Sequence, residues 1–583
     1  MNLLPGAFDD EIRIDIFHQA LPTSPRSPKV DRMTRDELQK TLPDDWNVSE
    51  TTSGKYIFWH RIEDDLTTWT HPVPGFDPLR YEQESDHVYW EYVPKFEALS
   101  YVWGSTAKPD TVFVVSPTNQ GTRNHLTHPM AIAIGRNLCL ALRHLRYAER
   151  ARLLWVDAIC INQTDLDERK EQVRRMRHIY PYAPRVIIWL GPERDNSQVA
   201  MQTVAYLGSQ VQATAGETLM RSPEATEANW WRLNTRLPYD STTRQALLHL
   251  FNRDYFRRLW VVQELHLTNR LAIMQIGHDM LPLSSFRNAM ARLYVEENLG
   301  SALRVVMVGA WGAVQNARDM TFSQLLRLYR LRQCFDPRDR VYGFLGISPP
   351  LFASTVRPDY GKPVVEGYKS AFLSHVTSVR RWELFGSELH RRELSGPSWV
   401  PDWSTTGTDW NYNGLLRQFA SGHSRLHLEI RDLEMLEVKG LQCARVCAIS
   451  EAVVQGQDRV KDLESVRSWQ PKDLFDASYV TGESLLRAYA ATLRHNGFEE
   501  RFPKPSIYPS IGDWEAQAYD FPLFGRGTLP RGEVNDSSTV GDGWYTLERL
   551  HGHTFFTTVE GYIGFAPGVM PGESSGDMNL AIE

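Results

Sequence analysis

Residues 153–191, LLWVDAICINQTDLDERKEQVRRMRHIYPYAPRVIIWLG, decide the predicted fold. The run 153–161 is apolar and rich in β-forming residues apart from Asp157, which is typical of a parallel strand buried on both faces. A helix is predicted to start at Asp165, which can cap the first turn and is followed by apolar residues at helical spacing. The run 185–190 predicts a second strand. Because parallel strands need a crossover between them, the stretch predicts one strand–helix–strand unit.

Two flanking segments extend this unit into a sheet. Residues 96–104, FEALSYVWG, predict a short strand that stops at a glycine, and residues 136–148 place apolar side chains on one face of a helix. Residues 105–130 are predicted to be a loop. The order of strands and helices favours an α/β fold, a flavodoxin-like open parallel sheet with helices on both sides. In such a sheet, ligands bind at the carboxyl ends of the strands.

Size, charge and cysteine content restrict the class of protein. A chain of 583 residues is too long for one hydrophobic core, so about two to four domains are expected. The net charge of −7 disfavours nucleic acid as the main partner, because phosphate binding needs a basic surface. We expect neither a signal peptide nor a membrane span. Five cysteines without paired spacing indicate reduced thiols in a cytosolic or nuclear protein, and no metal site is expected.

The sequence divides into five predicted regions that differ in composition and periodicity. They are a flexible segment (1–41), a small β module (42–74), an α/β domain (92–270, with a polar insertion at 192–250), a helical region (271–424) and a mixed α+β region (425–583).

The module at residues 42–74 resembles a WW domain. Trp46 and Trp69 stand 23 residues apart, with an aromatic strand between them and Pro72 after them. The resemblance implies a small buckle of Trp46, Phe58 and Pro72, and a surface that binds a polyproline II peptide. The peptide-binding residues would be Trp69, Thr67 and Trp59.

This module departs from the pattern of the WW family in three places. Ile57 stands where a ligand-stacking tyrosine is usual, Arg61 replaces the usual histidine, and the turn before Trp69 is one residue longer. A miniature sheet with a purely structural role is therefore the alternative to a domain that binds Pro-rich ligands.

Three motifs in fixed order resemble the fungal heterokaryon-incompatibility (HET) domain. They are FEALSYVWG at 96–104, RNLCLALRHLR at 136–146 and the stretch at 153–191, and FRRLWVVQEL at 256–265 resembles a further segment of that family. Residues 336–343 and 397–404 resemble sequences that usually follow HET domains. The resemblance implies self/non-self recognition that leads to programmed cell death after incompatible hyphal fusion. It also implies protein partners, either other incompatibility proteins or signalling proteins, and a homo-oligomer.

The HET domain in turn resembles TIR domains. In NAD-cleaving TIR domains a glutamate four residues after a tryptophan is catalytic, and Trp260 and Glu264 match that spacing. A carboxylate beside the ribose would stabilise the oxocarbenium-like transition state as nicotinamide leaves. The resemblance therefore implies that Glu264 is catalytic and that NAD is the substrate, with no other cofactor. The nucleotide pocket would be formed by Ser100, Trp103, Gly104, Asp157, Asn162, Gln163 and Trp260.

Each of these residues also has a structural interpretation. Trp260 and Glu264, one helical turn apart, can be a core anchor and a carboxylate paired with Arg257 or Arg258. Asp157 needs an internal partner if it is buried, and the two amides that follow its strand can form the turn that caps the next helix. Beside the NAD-cleaving enzyme, two other functions therefore stay open. One is a non-catalytic module that kills by assembling partners, and the other is a scaffold for Pro-rich ligands.

Overall fold

A nine-stranded mixed sheet forms the centre of the first of two compact units in the computed structural model. The first unit comprises Met1–Met320 with Leu331–Lys362, and the second comprises Thr321–Arg330 with Pro363–Glu583. The described residues are 1–19, 32–82 (except 64), 95–115 (except 106), 130–314 (except 217 and 297–298), 320–381, 384, 393–404, 425–431, 435–439, 443–453, 459–496, 498, 500, 510–517, 550–551 and 553–567.

The first unit is built from short strands and helices that are interleaved along the chain. The strands are β1 (Asn2–Leu3), β2 (Ile12–Asp15), β3 (Trp46–Glu50), β4 (Tyr56–His60), β5 (Thr67–Thr68), β6 (Glu97–Ser100), β7 (Asp110–Val114), β8 (Met130–Ile134), β9 (Arg152–Trp155), β10 (Arg185–Trp189), β11 (Val211–Ala213), β12 (Leu219–Arg221), β13 (Ile273–Ile276) and β14 (Asp279–Pro282). The helices are α1 (Arg35–Gln39), α2 (Arg136–Leu145), α3 (Asp157–Cys160), α4 (Leu166–Tyr182), α5 (Ser197–Gln210), α6 (Ser241–Phe251), α7 (Trp260–His266), α8 (Leu283–Tyr294), α9 (Ser301–Val314), α11 (Asp339–Tyr342) and α12 (Pro350–Thr355).

Parallel strands form the middle of the large sheet, in the order β13, β10, β6 and β9. On one side β14 continues the sheet in antiparallel pairing with β13. On the other side β1 pairs antiparallel with β9, and β2, β7 and β8 follow. The predicted α/β class therefore holds, but the sheet is mixed, and only its centre is the parallel sheet that the sequence predicts.

Helices cover both faces of this sheet, as the run of apolar residues in β10 requires. Val186 and Ile188 pack on one face, in a core that also contains residues of α4, α5, α6, α8 and α9. Ile187 and Trp189 point to the opposite face, where they pack with residues of α2. Because successive side chains of a strand point to opposite faces, every residue of β10 is buried.

Two strands near the start of the chain correct the prediction that residues 1–41 are a flexible segment. β1 pairs with β9, and β2 pairs parallel with β7. Leu3, Ile12 and Ile14 are buried in the same core as α2. Their apolar side chains explain the order of this part of the segment, and residues 20–31 lie outside the described residues.

The predicted strand at 153–161 is also shorter than expected. β9 ends at Trp155, and Asp157–Cys160 forms the short helix α3. The Val156 carbonyl accepts hydrogen bonds from Ile159 N and Cys160 N, which closes the helical turn. The predicted loop at 105–130 likewise contains β7, while residues 116–129 lie outside the described residues. The shorter strand places Asp157 at the carboxyl edge of the sheet.

Helix α4 starts where the sequence predicts. Asp165 is its N-cap, and the carboxylate accepts from the backbone N–H groups of Asp167 and Glu168. Met176, Ile179 and Tyr180 are its buried residues. The helix includes Pro181 in its last turn and ends at Tyr182.

A separate three-stranded antiparallel sheet, β3–β4–β5, lies within the predicted module at 42–74. Its small core contains Leu38, Val48, Tyr56, Phe58 and Tyr81. Such a sheet agrees with either interpretation of the module, so the WW-like assignment stays a prediction.

The second unit contains α10 (Phe322–Tyr329), α13 (Val364–Val379), β15 (Leu428–Arg431), β16 (Met435–Val438), β17 (Val446–Ile449), α14 (Arg459–Ser468), α15 (Leu485–Leu493), α16 (Ile511–Gln517), β18 (His553–Thr558) and β19 (Ile563–Pro567). Strands β17, β18 and β19 form a sheet whose Phe555 stacks on Trp469, with 6.0 Å between the ring centroids. Within the described ranges, no helix has both the length and the apolar character that crossing a membrane needs.

Candidate functional site

The carboxyl edge of the parallel strands brings three predicted site residues together. Ser100 is the last residue of β6, and Asp157 lies just beyond β9 at the start of α3. Glu264 comes from α7, and Ser100 Oγ donates a hydrogen bond of 2.5 Å to Glu264 Oε2. The Tyr255 hydroxyl oxygen lies 2.7 Å from Ser100 Oγ. Two hydroxyl groups therefore form a short chain that ends on the Glu264 carboxylate.

Arg258 joins the two carboxylates. Its Nη1 lies 3.7 Å from Glu264 Oε1, and its Nη2 lies 3.7 Å from Asp157 Oδ2. Nη1 also donates a hydrogen bond to the carbonyl of Tyr101. Burial disfavours the charged guanidinium, but the Glu264 and Asp157 carboxylates outweigh burial and raise the pKa of Arg258 above its ordinary value. We call these four residues the acid–arginine cluster: Ser100, Asp157, Arg258 and Glu264.

The sequence offers two arginines, Arg257 and Arg258, as the partner of Glu264. Arg257 is exposed and donates a hydrogen bond to Asn252 Oδ1. Arg258 is the one that contacts Glu264, because the 3₁₀ turn at Asp254–Arg257 ends there and the side chain of Arg258 points inward.

The carboxyl group of Glu264 has a pKa near neutral pH. The residue is 1% exposed, and burial raises the pKa of its carboxyl group from 4.5 to about 7. The nearby Asp157 carboxylate adds to this rise, while Arg258 and the hydroxyl groups of Ser100 and Tyr180 oppose it. A carboxyl group with this pKa can gain or lose a proton at physiological pH, which is the property that general acid–base chemistry requires.

Trp103 forms the exposed rim of the cluster. The residue is 38% exposed, and its Nε1 donates a hydrogen bond of 2.8 Å to Asp157 Oδ2. The Arg258 guanidinium carbon lies 5.9 Å from the centroid of the ring. Asp157 also accepts from the backbone N–H of Ala158 at 2.7 Å. Asp157 thus has the internal partners that a buried carboxylate needs, and Trp103 connects it to the surface.

Three further residues predicted for the pocket lie at the same edge. Gly104 follows Trp103 with a φ of +71°, in the left-handed region that favours glycine. Gln163 Nε2 donates to the Asp157 carbonyl at 3.0 Å. Asn162 is exposed and accepts from Thr164 N at 3.2 Å, so it forms the turn before α4. Gln163 is therefore beside the cluster, and Asn162 lies in the turn before α4.

Trp260, predicted to line the pocket, makes its hydrogen bond elsewhere. Its Nε1 donates to Asp339 Oδ2 at 3.0 Å, and the Tyr360 hydroxyl donates to Asp339 Oδ1 at 2.7 Å. Burial raises the pKa of Asp339 from 3.8 to about 6 against these hydrogen bonds. One turn along α7, Gln263 Oε1 accepts from Gly346 N at 2.7 Å. Hydrogen bonds from the segment 331–362 to Trp260 and Gln263 therefore fix the position of α7, the helix that carries Glu264.

We expect Trp260→Phe to lower the free energy of unfolding by about 1–2 kcal/mol, because Asp339 loses a hydrogen-bond donor while it stays buried. Urea denaturation measures the change. A double-mutant cycle with Asp339→Ala, which removes the acceptor, separates the interaction from effects of the indole volume. If the effects of the two substitutions are additive, the hydrogen bond is not the origin of the loss in the free energy of unfolding.

The three residues predicted to bind peptide have internal contacts. Thr67 is 7% exposed, and its Oγ1 donates to the carbonyl of Arg221 at 3.0 Å. Trp59 Nε1 donates to Ser49 Oγ at 3.1 Å. The ring of Trp69 lies 5.1 Å from Lys55 Nζ. Peptide binding by these residues stays a prediction, and Thr67 has its hydroxyl engaged within the chain.

Phe58 and Trp46, the two aromatic residues of the predicted buckle, pack against other rings. Phe58 packs edge-on against His71 and Tyr81, with centroid distances of 5.2 Å and 5.4 Å. Trp46 packs against His60 at 5.4 Å and borders the same small core. Tyr81 lies beyond the segment that resembles a WW domain, so that segment alone could not have shown this contact.

Sequence reasoning missed Tyr180, Tyr255 and Asp339 as parts of this region. A tyrosine in an apolar helix or turn is first predicted to be a residue of the hydrophobic core, yet a buried hydroxyl group needs a polar partner. Tyr255 directly precedes the FRRLW segment, and that position beside a predicted catalytic helix was the one available signal.

Comparison with known proteins agrees with the motifs that the sequence displays. The family model described as heterokaryon incompatibility protein (HET) matches residues 96–264. Heterokaryon incompatibility protein 6, OR allele, of Neurospora crassa is 27% identical over 381 residues, which cover 53% of this chain and 53% of that protein. The chain thus spans about half the length of this curated relative, and no solved structure matches. The predicted HET domain is confirmed for residues 96–264, the stretch that the family model matches.

Proposed function

We propose that this chain acts in fungal heterokaryon incompatibility, as a cytoplasmic protein that leads to programmed cell death when cells that differ genetically have fused. The observation that carries the proposal is the HET domain at residues 96–264, together with a relative that is named as an incompatibility protein. Other incompatibility proteins or signalling proteins, and further copies of this chain, are the partners that such a role needs.

The test is controlled expression in a fungal host, followed by a viability count. We expect viability to fall when the intact chain is expressed, compared with a chain of equal abundance whose Arg152→Leu substitution breaks the buried ion pair with Glu97 at 2.5 Å. Undiminished viability in hosts that differ from one another at their incompatibility loci would contradict the proposal.

For the chemistry, we propose that the HET domain cleaves NAD at the acid–arginine cluster. Three features support this: the position at the carboxyl edge of parallel strands, a carboxyl group with a pKa of about 7, and an exposed aromatic rim at Trp103. The bond between the ribose C1′ and the nicotinamide nitrogen breaks, and its electron pair leaves with nicotinamide. The Glu264 carboxylate stabilises the positive charge on the ribose, and water then adds to C1′ and releases a proton.

The closed cluster makes this activity conditional. Glu264 is buried, and Arg258 lies within 3.7 Å of both carboxylates, so a substrate reaches Glu264 only after Arg258 has moved. Movement of Arg258 breaks its contacts with two carboxylates and with the Tyr101 carbonyl. We propose that this closed arrangement is the resting state and that assembly with a partner or a second copy opens it.

The buried network also favours a second candidate function, a signalling module without catalysis. In that case Glu264 acts only as the internal partner of Arg258 and Ser100, and death follows from assembly alone. The two functions differ in one measurable quantity, the intracellular NAD level, because assembly alone leaves NAD unchanged.

A further inference from the structure

The large sheet has a cluster of buried charges at each end of its parallel strands, and the two clusters differ in composition. At the amino end, Glu97, Arg152 and Arg185 are the first residues of β6, β9 and β10. Two guanidinium groups share one carboxylate there, with nitrogen–oxygen distances between 2.5 and 3.0 Å. These are hydrogen-bonded ion pairs, the geometry that a structural cluster of buried charges needs.

The acid–arginine cluster at the carboxyl end has the opposite composition. One guanidinium group, that of Arg258, lies 3.7 Å from the carboxylate of Asp157 and 3.7 Å from that of Glu264. A distance of 3.7 Å is too long for a hydrogen bond. Glu264 Oε1 is buried and has no hydrogen-bond partner within the described part of the chain. Arg258 therefore fits its two carboxylates less closely than the arginines at the amino end fit theirs.

The charges of the acid–arginine cluster do not balance. When both carboxylates are ionised, two negative charges face a single positive charge. An uncompensated charge is costly in the interior of a protein, so such a cluster attracts a further cation or a proton. Burial, with the Asp157 carboxylate adding to it, raises the pKa of the Glu264 carboxyl group, so a proton can balance the charge while no other cation is bound.

Trp103 provides an open aromatic wall beside the guanidinium group of Arg258. Trp103 is 38% exposed, and the guanidinium carbon lies 5.9 Å from the centroid of its ring. The side chain of Arg258 is itself 18% exposed, so its position is not sealed from solvent. The face of a tryptophan ring attracts cations, and flat delocalised cations stack on it. This position, bordered by two carboxylates and an indole ring, therefore suits a planar cation.

We propose that Arg258 occupies the position of a planar organic cation, and that the charged ring of the substrate takes this position once Arg258 has moved. The preference for a planar cation rests on the cluster alone. The pyridinium ring of NAD is a cation of this kind, and naming it rests on the proposed cleavage of NAD. The substrate class is then the N-ribosides of a pyridinium ring. Reduced NAD and nucleosides with an uncharged base lack the charge that the two carboxylates recognise.

The test compares two probes on the full chain by isothermal titration calorimetry. 1-Methylnicotinamide carries a permanent positive charge, nicotinamide has the same ring without that charge, and neither contains a ribose that could be cleaved. Arg258→Ala empties the position and keeps both carboxylates, so we expect it to bind 1-methylnicotinamide at least about tenfold more tightly than nicotinamide. The wild-type chain should show no such preference, because Arg258 fills the position. Equal affinities of the two probes for Arg258→Ala, or the same preference in the wild type, would overturn the proposal.

Two further variants complete the test. Arg258→Gln keeps a donor for the Tyr101 carbonyl and more of the side-chain volume, so it takes the place of Arg258→Ala should that variant not fold, with the same expected preference. Arg185→Ala is the matched control, because it removes a buried arginine at the amino end and leaves Arg152 paired with Glu97. It should bind the two probes equally weakly. A preference for the cation in Arg185→Ala would mean that the cation binds elsewhere, and would reject the assignment of Arg258.

The NAD level in expressing cells distinguishes this proposal from the proposed cleavage. A preference for 1-methylnicotinamide without any loss of NAD would support the cation position and reject the cleavage of NAD. Loss of NAD without the preference would support the cleavage and reject the cation position.

Discussion

Glu264→Gln should reduce the loss of NAD in expressing cells by about 100-fold or more, the scale seen when one preorganised electrostatic group is removed from an active site. Glutamine keeps the volume of the side chain and still accepts the hydrogen bond from Ser100 Oγ. It cannot carry the negative charge that stabilises an oxocarbenium-like ribose. Enzymatic assay of NAD in cell extracts, beside a viability count at equal protein abundance, measures the effect.

Arg257→Gln provides the matched control for this experiment. Arg257 stands beside Arg258 in the chain, but it is exposed and its side chain donates to Asn252, away from the acid–arginine cluster. It should leave NAD loss and viability as in the wild type. Killing that persists undiminished in Glu264→Gln, with NAD unchanged in every variant, would reject the enzyme and favour death by assembly.

Much of the candidate site could be predicted because parallel strands end at one edge of a sheet. Ser100 ends β6 and Asp157 lies just beyond β9, two strands that the apolar runs reveal, and the spacing of Trp260 and Glu264 identifies the helix beside them. Which of two adjacent arginines turns inward could not be predicted. That choice depends on the 3₁₀ turn before α7, whose geometry is set by tertiary packing and not by any local pattern.

The parts of the fold that the sequence did not reveal rest on contacts between distant residues. β1 pairs with β9, and Asn2 lies opposite Leu153, about 150 positions away along the chain. Two short strands of this kind carry too few residues for an alternating pattern to be recognised beside a segment rich in proline and serine. A distant contact also fixes Asp339, because its partner Trp260 lies 79 positions earlier along the chain. Asp336 and Arg338 form a local ion pair at 2.9 Å, whereas Asp339 itself turns toward Trp260.

The stability of the chain should depend on pH through Glu264. Burial raises the pKa of this carboxyl group from 4.5 to about 7, so the folded state binds its proton more tightly than the unfolded state does. The contribution is therefore fully favourable below about pH 4.5 and is lost as the pH rises through 7. A shift of this size corresponds to about 3 kcal/mol between those limits. The pKa of Asp339 is raised to about 6, so this residue changes the stability in the same direction over a lower pH range.

Other titratable groups change the stability in the opposite direction as the pH rises. The decisive measurement therefore compares the wild type with Glu264→Gln. Burial lowers the pKa of His71 and His144, which makes the fold less stable as the pH falls below their ordinary value of 6.5. These histidines are the same in the wild type and in Glu264→Gln, so their effect cancels in the difference. Urea denaturation at a series of pH values from about 5 to 8.5 should therefore show the wild type losing about 3 kcal/mol relative to Glu264→Gln as the pH rises. A difference that stays constant across this range would mean that Glu264 is ionised in the folded state throughout. The carboxyl group would then have no proton to exchange near neutral pH, and only its charge could serve the cleavage of NAD.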